Sequence, residues 1–251
     1  MEIDRRWFFA GGAALLAAGA WGLIRARPTR FAFDWMERPE GFRRARWDGR
    51  VSTAAFDPLI GLDGAGDGRS PFEGDLCAAL FGGPPGPGVD PVASFSDPFC
   101  PYCRVLVPAL AEIERASGGA VRVRWHEWPL FGARSMASAR LAIAAEAQGA
   151  YGRVAPRLMG SGFLVTPGYA RALAESAGID AERLIADMAS PGTTARIARS
   201  VALATLFGFI GTPALVVGRS VVEGAIPRDA LEELIAIEAE LPPPAVCRAD
   251  V

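Results

Sequence analysis

Lysine and asparagine are absent from the 251 residues, histidine occurs once and cysteine only four times. Without Lys there is no Walker-type phosphate loop, no Schiff-base nucleophile and no Ser-Lys dyad. All 26 cations are therefore Arg, a bias that fits a GC-rich genome better than any chemical demand. A large charge of either sign is also missing. The formal net charge of −2 argues against a nucleic-acid partner held by phosphate neutralisation, and none is expected. Gly (29) and Pro (20) are too few for a collagen-like or mucin-like chain, and 51% apolar content is too high for a disordered one. The chain is globular, with length for one large domain or two small ones. It shows no internal repeat.

Charge is unevenly spread: residues 1–50 carry ten Arg and six acids, the remainder sixteen Arg and twenty-two acids. The body is thus acidic. A short charged stretch, Met1 to Arg6, precedes an uncharged, largely apolar run of 18 residues from Trp7 to Ile24. That is long for a signal-peptide core and just long enough to span a bilayer. Residues 1–30 therefore read as a signal peptide, with small residues at Ala18-Gly19-Ala20 for cleavage, or as a membrane anchor. Arg5-Arg6-Trp7-Phe8-Phe9 resembles a twin-arginine export signal, with Asp4 where Ser or Thr is usual and Ala10 where Lys is common. An ordinary leader carrying two Arg is the alternative. Arg25, Arg27 and Arg30 beyond the run oppose export through the positive-inside tendency, which weakens for large translocated domains. Export is the reading adopted.

Phe31 to Arg50 interleaves aromatics with Arg and reads as an extended arm packing its aromatics on the domain. Gly61 to Gly68 reads as a flexible loop, because Asp63 and Asp67 match no calcium-loop spacing. After the turn-rich stretch Pro84 to Gly88, a short strand is expected at Val92 to Ser96. From Cys100 the pattern is helical, with Val105, Leu106, Leu110 and Ile113 in one stripe and Pro108 placed to kink it. Val121 to His126 alternates as a strand. Ser135 to Gly208 shows only Ala-rich amphipathic segments, an all-helical block. Strands at Ala214 to Val217 and Val221 to Glu223 and a helix from Arg228 to Glu240 complete an α/β order with an insertion.

Cys100-Pro101-Tyr102-Cys103 has three readings: a redox pair, half a zinc site, or two core cysteines. Zinc needs two more N or S ligands, and only His126, Cys77 and Cys247 exist, without a second paired spacing. No metal and no cofactor are expected. The redox reading needs a thiolate at Cys100, where a strand ends and a helix begins. Backbone N–H groups of Tyr102 and Cys103 can then point at its sulfur, with Pro101 where a missing donor costs nothing. A fall in pKa from ~8.5 to about 6 favours the thiolate by roughly 3 kcal/mol. A helix macrodipole supplies only ~0.3–1 kcal/mol, so direct N–H···S bonds must carry much of the shift.

Phe95-Ser96-Asp97-Pro98-Phe99-Cys100-Pro101-Tyr102-Cys103-Arg104, then Trp128-Pro129-Leu130-Phe131-Gly132, then Gly211-Thr212-Pro213-Ala214-Leu215-Val216-Val217-Gly218 resemble the DsbA-like thioredoxin superfamily of bacterial thiol-disulfide oxidoreductases. The resemblance runs from about Val92 to Glu240. It implies a thioredoxin fold, a mixed central sheet flanked by helices, formed by residues 91–134 and 209–245. Residues 135–208 are then the helical insertion and 31–90 an N-terminal extension and linker. It also implies that Cys100 is the nucleophile and Cys103 the resolving thiol. Thr212 and a cis Pro213 would face them and, with Pro101 and Tyr102, meet the substrate. Pro108 matches the family's kinking Pro.

The chain departs from that pattern in two ways. Thioredoxins and several relatives keep a buried acid six residues before the first Cys, where this chain has Ser94. Proton transfer at Cys103 is then left to water or to another carboxylate. No His lies between the cysteines, which implies milder oxidising power. Asp97 and Glu127 are candidates for local electrostatics, with solvated or capping roles as the plainer expectation, and His126 reads as an ordinary strand residue. With Cys100 and Cys103 taken as the redox pair, only Cys77 and Cys247 remain. In an exported protein they read as a structural disulfide worth roughly 5 kcal/mol by chain entropy, against the alternative of two unrelated thiols. The functional expectation is a periplasmic oxidase of other proteins, either soluble after signal cleavage or tethered to the inner membrane by residues 7–24. Its partners would be cysteine-containing exported proteins and a membrane redox partner that resets the pair. Isomerase or reductase work and Cu(I) binding at the same two sulfurs are the competing readings.

Overall fold

The computed structural model describes residues 30–47 and 72–248. Residues 1–29 of the stretch read as a signal peptide or anchor and the Gly-rich stretch 61–68 lie outside the described residues. Six strands form one mixed sheet: β1 (Phe31–Trp35), β2 (Arg43–Trp47), β3 (Asp90–Ser96), β4 (Val121–Glu127), β5 (Ala214–Val217) and β6 (Ser220–Glu223). Their spatial order is β1-β2-β6-β5-β3-β4. Strand β4 runs parallel to β3, β5 antiparallel to β3 and β6, and β2 parallel to β6. Helix α1 (Leu76–Phe81) precedes β3, and α2 (Cys103–Ala116) joins β3 to β4. Helices α3 (Ala133–Glu146), α4 (Tyr151–Gly160), α5 (Pro167–Ala177), α6 (Ala181–Met188) and α7 (Pro191–Leu206) lie between β4 and β5, and α8 (Arg228–Ala239) follows β6. The expected α/β order with a helical insertion is what the chain adopts.

The central strands are apolar on both faces because each face is covered. Side chains alternate across a strand, so Val92, Leu215 and Val217 enter the larger core with α2, α4 and α8, while Ala93, Phe95, Ala214 and Val216 enter the smaller core behind the sheet. Burying a side chain such as Phe95 contributes about 1.5–3 kcal/mol. In the insertion, Thr166, Asp180 and Ser190 accept backbone N–H groups at the starts of α5, α6 and α7. Pro167 and Pro191 occupy first-turn positions where no N–H is needed.

The described part of the stretch read from sequence as an extended arm, residues 31–47, is instead a β-hairpin at the sheet edge, paired from Phe31 with Trp47 to Trp35 with Arg43. Its arginines find acids inside the same domain. Arg44 binds Glu223 at 2.9 Å, and Arg43 binds Ser220 Oγ at 3.0 Å and the buried Glu238 at 2.7 Å. Glu238 also accepts the Arg219 N–H at 2.9 Å across the β5–β6 turn. Gly218 in that turn has φ +54°, and an added Cβ there would sit 2.5 Å from the Glu238 carboxylate. No described helix is long and apolar enough to cross a membrane.

Candidate active site

Strand β3 ends at Ser96, a short turn follows, and α2 starts at Cys103 rather than at Cys100 as the apolar spacing suggested. Cys100 therefore sits one turn ahead of the helix, its own N–H bonded to the Asp97 carbonyl at 3.0 Å. Both thiols are free. Hydrogen bonding from the Cys103 thiol is the largest influence on Cys100 and favours its thiolate. Burial opposes this, while the Cys103 N–H, the Thr212 side chain and the Tyr102 N–H reinforce it, leaving a pKa of about 6. Cys103 moves the other way, pushed well up by burial first and then by the hydrogen bond and charge of Cys100. One sulfur is set to ionise and the other to stay protonated.

The acidic thiol is not openly displayed: Cys100 is only 3% exposed and Cys103 fully buried. Pro101 is exposed and Tyr102 half-buried beside them. The Thr212–Pro213 peptide is cis, and the Thr212 carbonyl accepts from Cys100 Sγ at 3.1 Å. Cys100, Pro101, Tyr102 and Cys103 thus come together with Thr212 and Pro213 from two parts of the chain.

Asp97 is neither solvated nor a simple cap, as it is fully buried and holds the site's frame. Its Oδ1 accepts the Phe99 N–H at 2.8 Å and the Ser135 hydroxyl at 2.9 Å, and its Oδ2 accepts the Leu130 N–H at 2.7 Å. One carboxylate thereby ties the cysteine turn, the Trp128–Gly132 loop and α3 together. Burial nevertheless raises its pKa against these bonds. Ser135 carries no sequence signal, being one small residue in an Ala-rich helix.

Glu127 is also buried. Period-two alternation places it on the face of Val121, Val123 and Trp125, a signal that was available in the sequence. Tyr151 of α4 stacks on Trp125 with centroids 4.8 Å apart and donates its hydroxyl to Glu127 Oε1 at 2.7 Å. His126 points to the opposite face, with its ring nitrogens on the Leu80 carbonyl at 2.9 Å and Ser200 Oγ at 3.2 Å. Burial pushes its pKa down to about 3, so it stays neutral. Among the described residues no group of three His, Cys, Asp or Glu side chains is arranged to hold a metal ion. Behind the sheet, Cys77 of α1 and Cys247 of the final 3₁₀ turn form a disulfide with Cα atoms 5.0 Å apart.

A mixed sheet with a helical insertion, and a cysteine pair at a helix start facing a cis-proline loop, define a thioredoxin-fold dithiol protein. Residues 91–236 match the family described as the DSBA-like thioredoxin domain, and the chain belongs to that family of thiol-disulfide oxidoreductases. Among solved structures, a thioredoxin-like oxidoreductase from Silicibacter pomeroyi DSS-3 is 33% identical, with TM-score 0.54, covering 66% of this chain and 98% of its own. A periplasmic thioredoxin-like protein from Salmonella enterica serovar Typhimurium is 26% identical, with TM-score 0.55, covering 68% and 99%. The thiol-disulfide exchange protein alpha-DsbA2 from Wolbachia pipientis shares the fold at 19% identity and TM-score 0.52, covering 58% and 80%. Comparison with curated protein sequences gave no match.

Proposed function

We propose that this chain is exported and oxidises cysteine pairs in other exported proteins, with Cys100 as nucleophile and Cys103 as resolving thiol. The observation that carries the reading is the opposed setting of the two sulfurs, Cys100 acidic at about 6 and Cys103 held protonated. A substrate thiolate attacks Cys100 in the Cys100–Cys103 disulfide, and Cys103 leaves and takes up a proton. A second substrate thiolate then attacks the substrate sulfur of the mixed disulfide and releases Cys100 as its thiolate. Two electrons pass to the pair, and a membrane partner resets it. The low pKa of Cys100 supports the oxidising direction, because a stable leaving thiolate favours the reduced enzyme. Pro101, Tyr102, Thr212 and Pro213 border the sulfurs, and the Thr212 backbone suits an extended substrate segment.

The apolar run at 7–24, the Cys77–Cys247 bond and the periplasmic Salmonella relative support export. The test is equilibration of the pair against glutathione, together with substrate trapping by Cys103→Ser. A strongly oxidising equilibrium and trapped mixed disulfides are expected. A protein that bound Cu(I) at these sulfurs yet formed no mixed disulfide would overturn the reading.

A further inference from the structure

Exchange at a buried Cys103 requires a proton to arrive when its sulfur leaves and to depart when it attacks, and the position six residues before Cys100 holds Ser94, which cannot supply one at neutral pH. Neighbouring strands place another acid on the same face. Ser96 and Glu127 are register partners of the parallel β3–β4 pair, so their side chains lie on one side of the sheet, toward α2 and α4. The N–H of the next residue, Asp97, lies near enough to Cys103 Sγ to favour its thiolate, so one backbone corner separates the sulfur from the Ser96–Glu127 pair.

Three buried atoms there lack hydrogen-bond partners: Ser94 Oγ, Ser96 Oγ and Glu127 Oε2. Ser96 Oγ does lie near enough to the Tyr151 phenol to bear on its ionisation, without reaching hydrogen-bond geometry. Orphaned buried oxygens cost about 1–3 kcal/mol each, so a run of them under an active site calls for a function. Asp97 suits the role less well, because the donors on both its oxygens favour its carboxylate and hold it in the frame of the site. Glu127 has one oxygen on Tyr151 and one free.

We infer that Glu127 is the proton reservoir of the resolving cysteine, exchanging a proton with Cys103 by way of water held by the Ser94 and Ser96 hydroxyls, which do not hydrogen-bond directly to each other, to Glu127 or to Cys103. This rests on the exchange reading above. When Cys103 leaves the disulfide, Glu127 gives up its proton, yielding a Cys103 thiol and a Glu127 carboxylate. When Cys103 attacks a mixed disulfide on Cys100, the carboxylate takes that proton back and the outgoing thiolate leaves. No outside oxidant or reductant enters either step. The groups facing Glu127 are Tyr151 of α4, Asp97 after β3, Glu146 of α3 and Arg196 of α7: burial raises its pKa most, the charges of Asp97 and Glu146 add to the rise, and the Tyr151 hydrogen bond and Arg196 oppose it, leaving a pKa of about 8. It can thus be found in either protonation state around neutral pH.

The full chain carrying a Cys100–glutathione mixed disulfide provides the test, with glutathione release followed from about pH 6 to about pH 9. Wild-type release should rise and level off near the Glu127 pKa. Glu127→Gln should slow it by about tenfold to a hundredfold at neutral pH, with the deficit closing as pH rises. Glu127→Asp should restore part of the rate. Tyr151→Phe removes a hydrogen bond that favours the carboxylate and should move the inflection to higher pH, a readout available even where Glu127→Gln folds poorly. Equal release by Glu127→Gln and wild type, or a uniform loss with an unchanged profile, would overturn the inference and leave exchange intact. Failure of wild-type Cys100 to form the mixed disulfide would instead overturn the exchange reading.

Discussion

The backbone carbonyl of Thr212 accepts a hydrogen bond from Cys100 Sγ at 3.1 Å across 112 residues of sequence. A carbonyl can accept from a thiol but has nothing to give a thiolate, so this contact favours the protonated sulfur. The anion is favoured instead by the Cys103 thiol and the N–H groups of Cys103 and Tyr102. Ionisation of Cys100 therefore leaves the Thr212 carbonyl in need of a donor, and an extended substrate backbone has one to offer.

The Thr212 side chain acts separately from its carbonyl, because it lowers the Cys100 pKa. Thr212→Ala keeps the carbonyl and removes the hydroxyl. The variant should show a Cys100 pKa above about 6 in the pH dependence of alkylation, with mixed-disulfide formation retained. An unchanged pKa would assign the effect to the backbone alone.

Much of this site could be read from the chain. The cysteine spacing after a strand and the Gly-Thr-Pro ahead of an apolar strand are local patterns, and local physics builds them: an N-terminal turn for Cys100 and a short hairpin for Ala214 to Glu223. The roles of Asp97 and Glu127 were not legible, because they depend on which backbone donors and which phenol come to meet them from 24 to 38 residues away. The N-terminal hairpin escaped for a related reason. Its arginines read as surface charge until Glu223 and Glu238, some 180 to 195 residues later, arrive beside them.

Asp97→Asn tests the frame around the cysteines. An amide in place of the carboxylate must turn its NH₂ toward either the Leu130 N–H or the Phe99 N–H, setting donor against donor in a buried position. The cost should be about 2 kcal/mol in urea unfolding, with slower exchange because the Cys100 turn loses its anchor. An unchanged unfolding midpoint would show that these bonds are replaceable.

Stability against pH should show two opposed trends in the reduced protein. The Cys100 pKa is depressed to about 6, so its contribution is present above the unfolded value of ~8.5 and lost as pH falls through about 6. Glu127 is raised to about 8, so its contribution is present below the unfolded value of ~4.3 and lost as pH rises through about 8. Wild type should therefore lose ground to Glu127→Gln, and gain on Cys100→Ser, as pH climbs through neutrality. Unfolding midpoints of the three proteins at a series of pH values up to ~8.5 check both signs, the limit being set by the unfolded cysteine value above which Cys103 also contributes. Parallel midpoint curves would contradict both shifts.

The Cys77–Cys247 bond can be separated from ordinary packing by its additivity. It joins α1 to the C-terminal turn over a sequence separation of 170, in the core behind the sheet and across from the face that holds Cys103. Closing so long a loop removes entropy from the unfolded chain, and losing such a bond typically costs about 2–5 kcal/mol. Either Cys77→Ala or Cys247→Ala breaks the same link, so the second substitution has little left to remove beyond a sulfur's packing. In a background with Cys100→Ser and Cys103→Ser, which prevents shuffling, both single variants and the double variant should lose nearly the same stability in urea. Strictly additive losses would mean two independent buried thiols. With Cys100 and Cys103 intact, the double variant should keep the exchange rate of the wild type at temperatures where it remains folded, because neither sulfur touches the reacting pair.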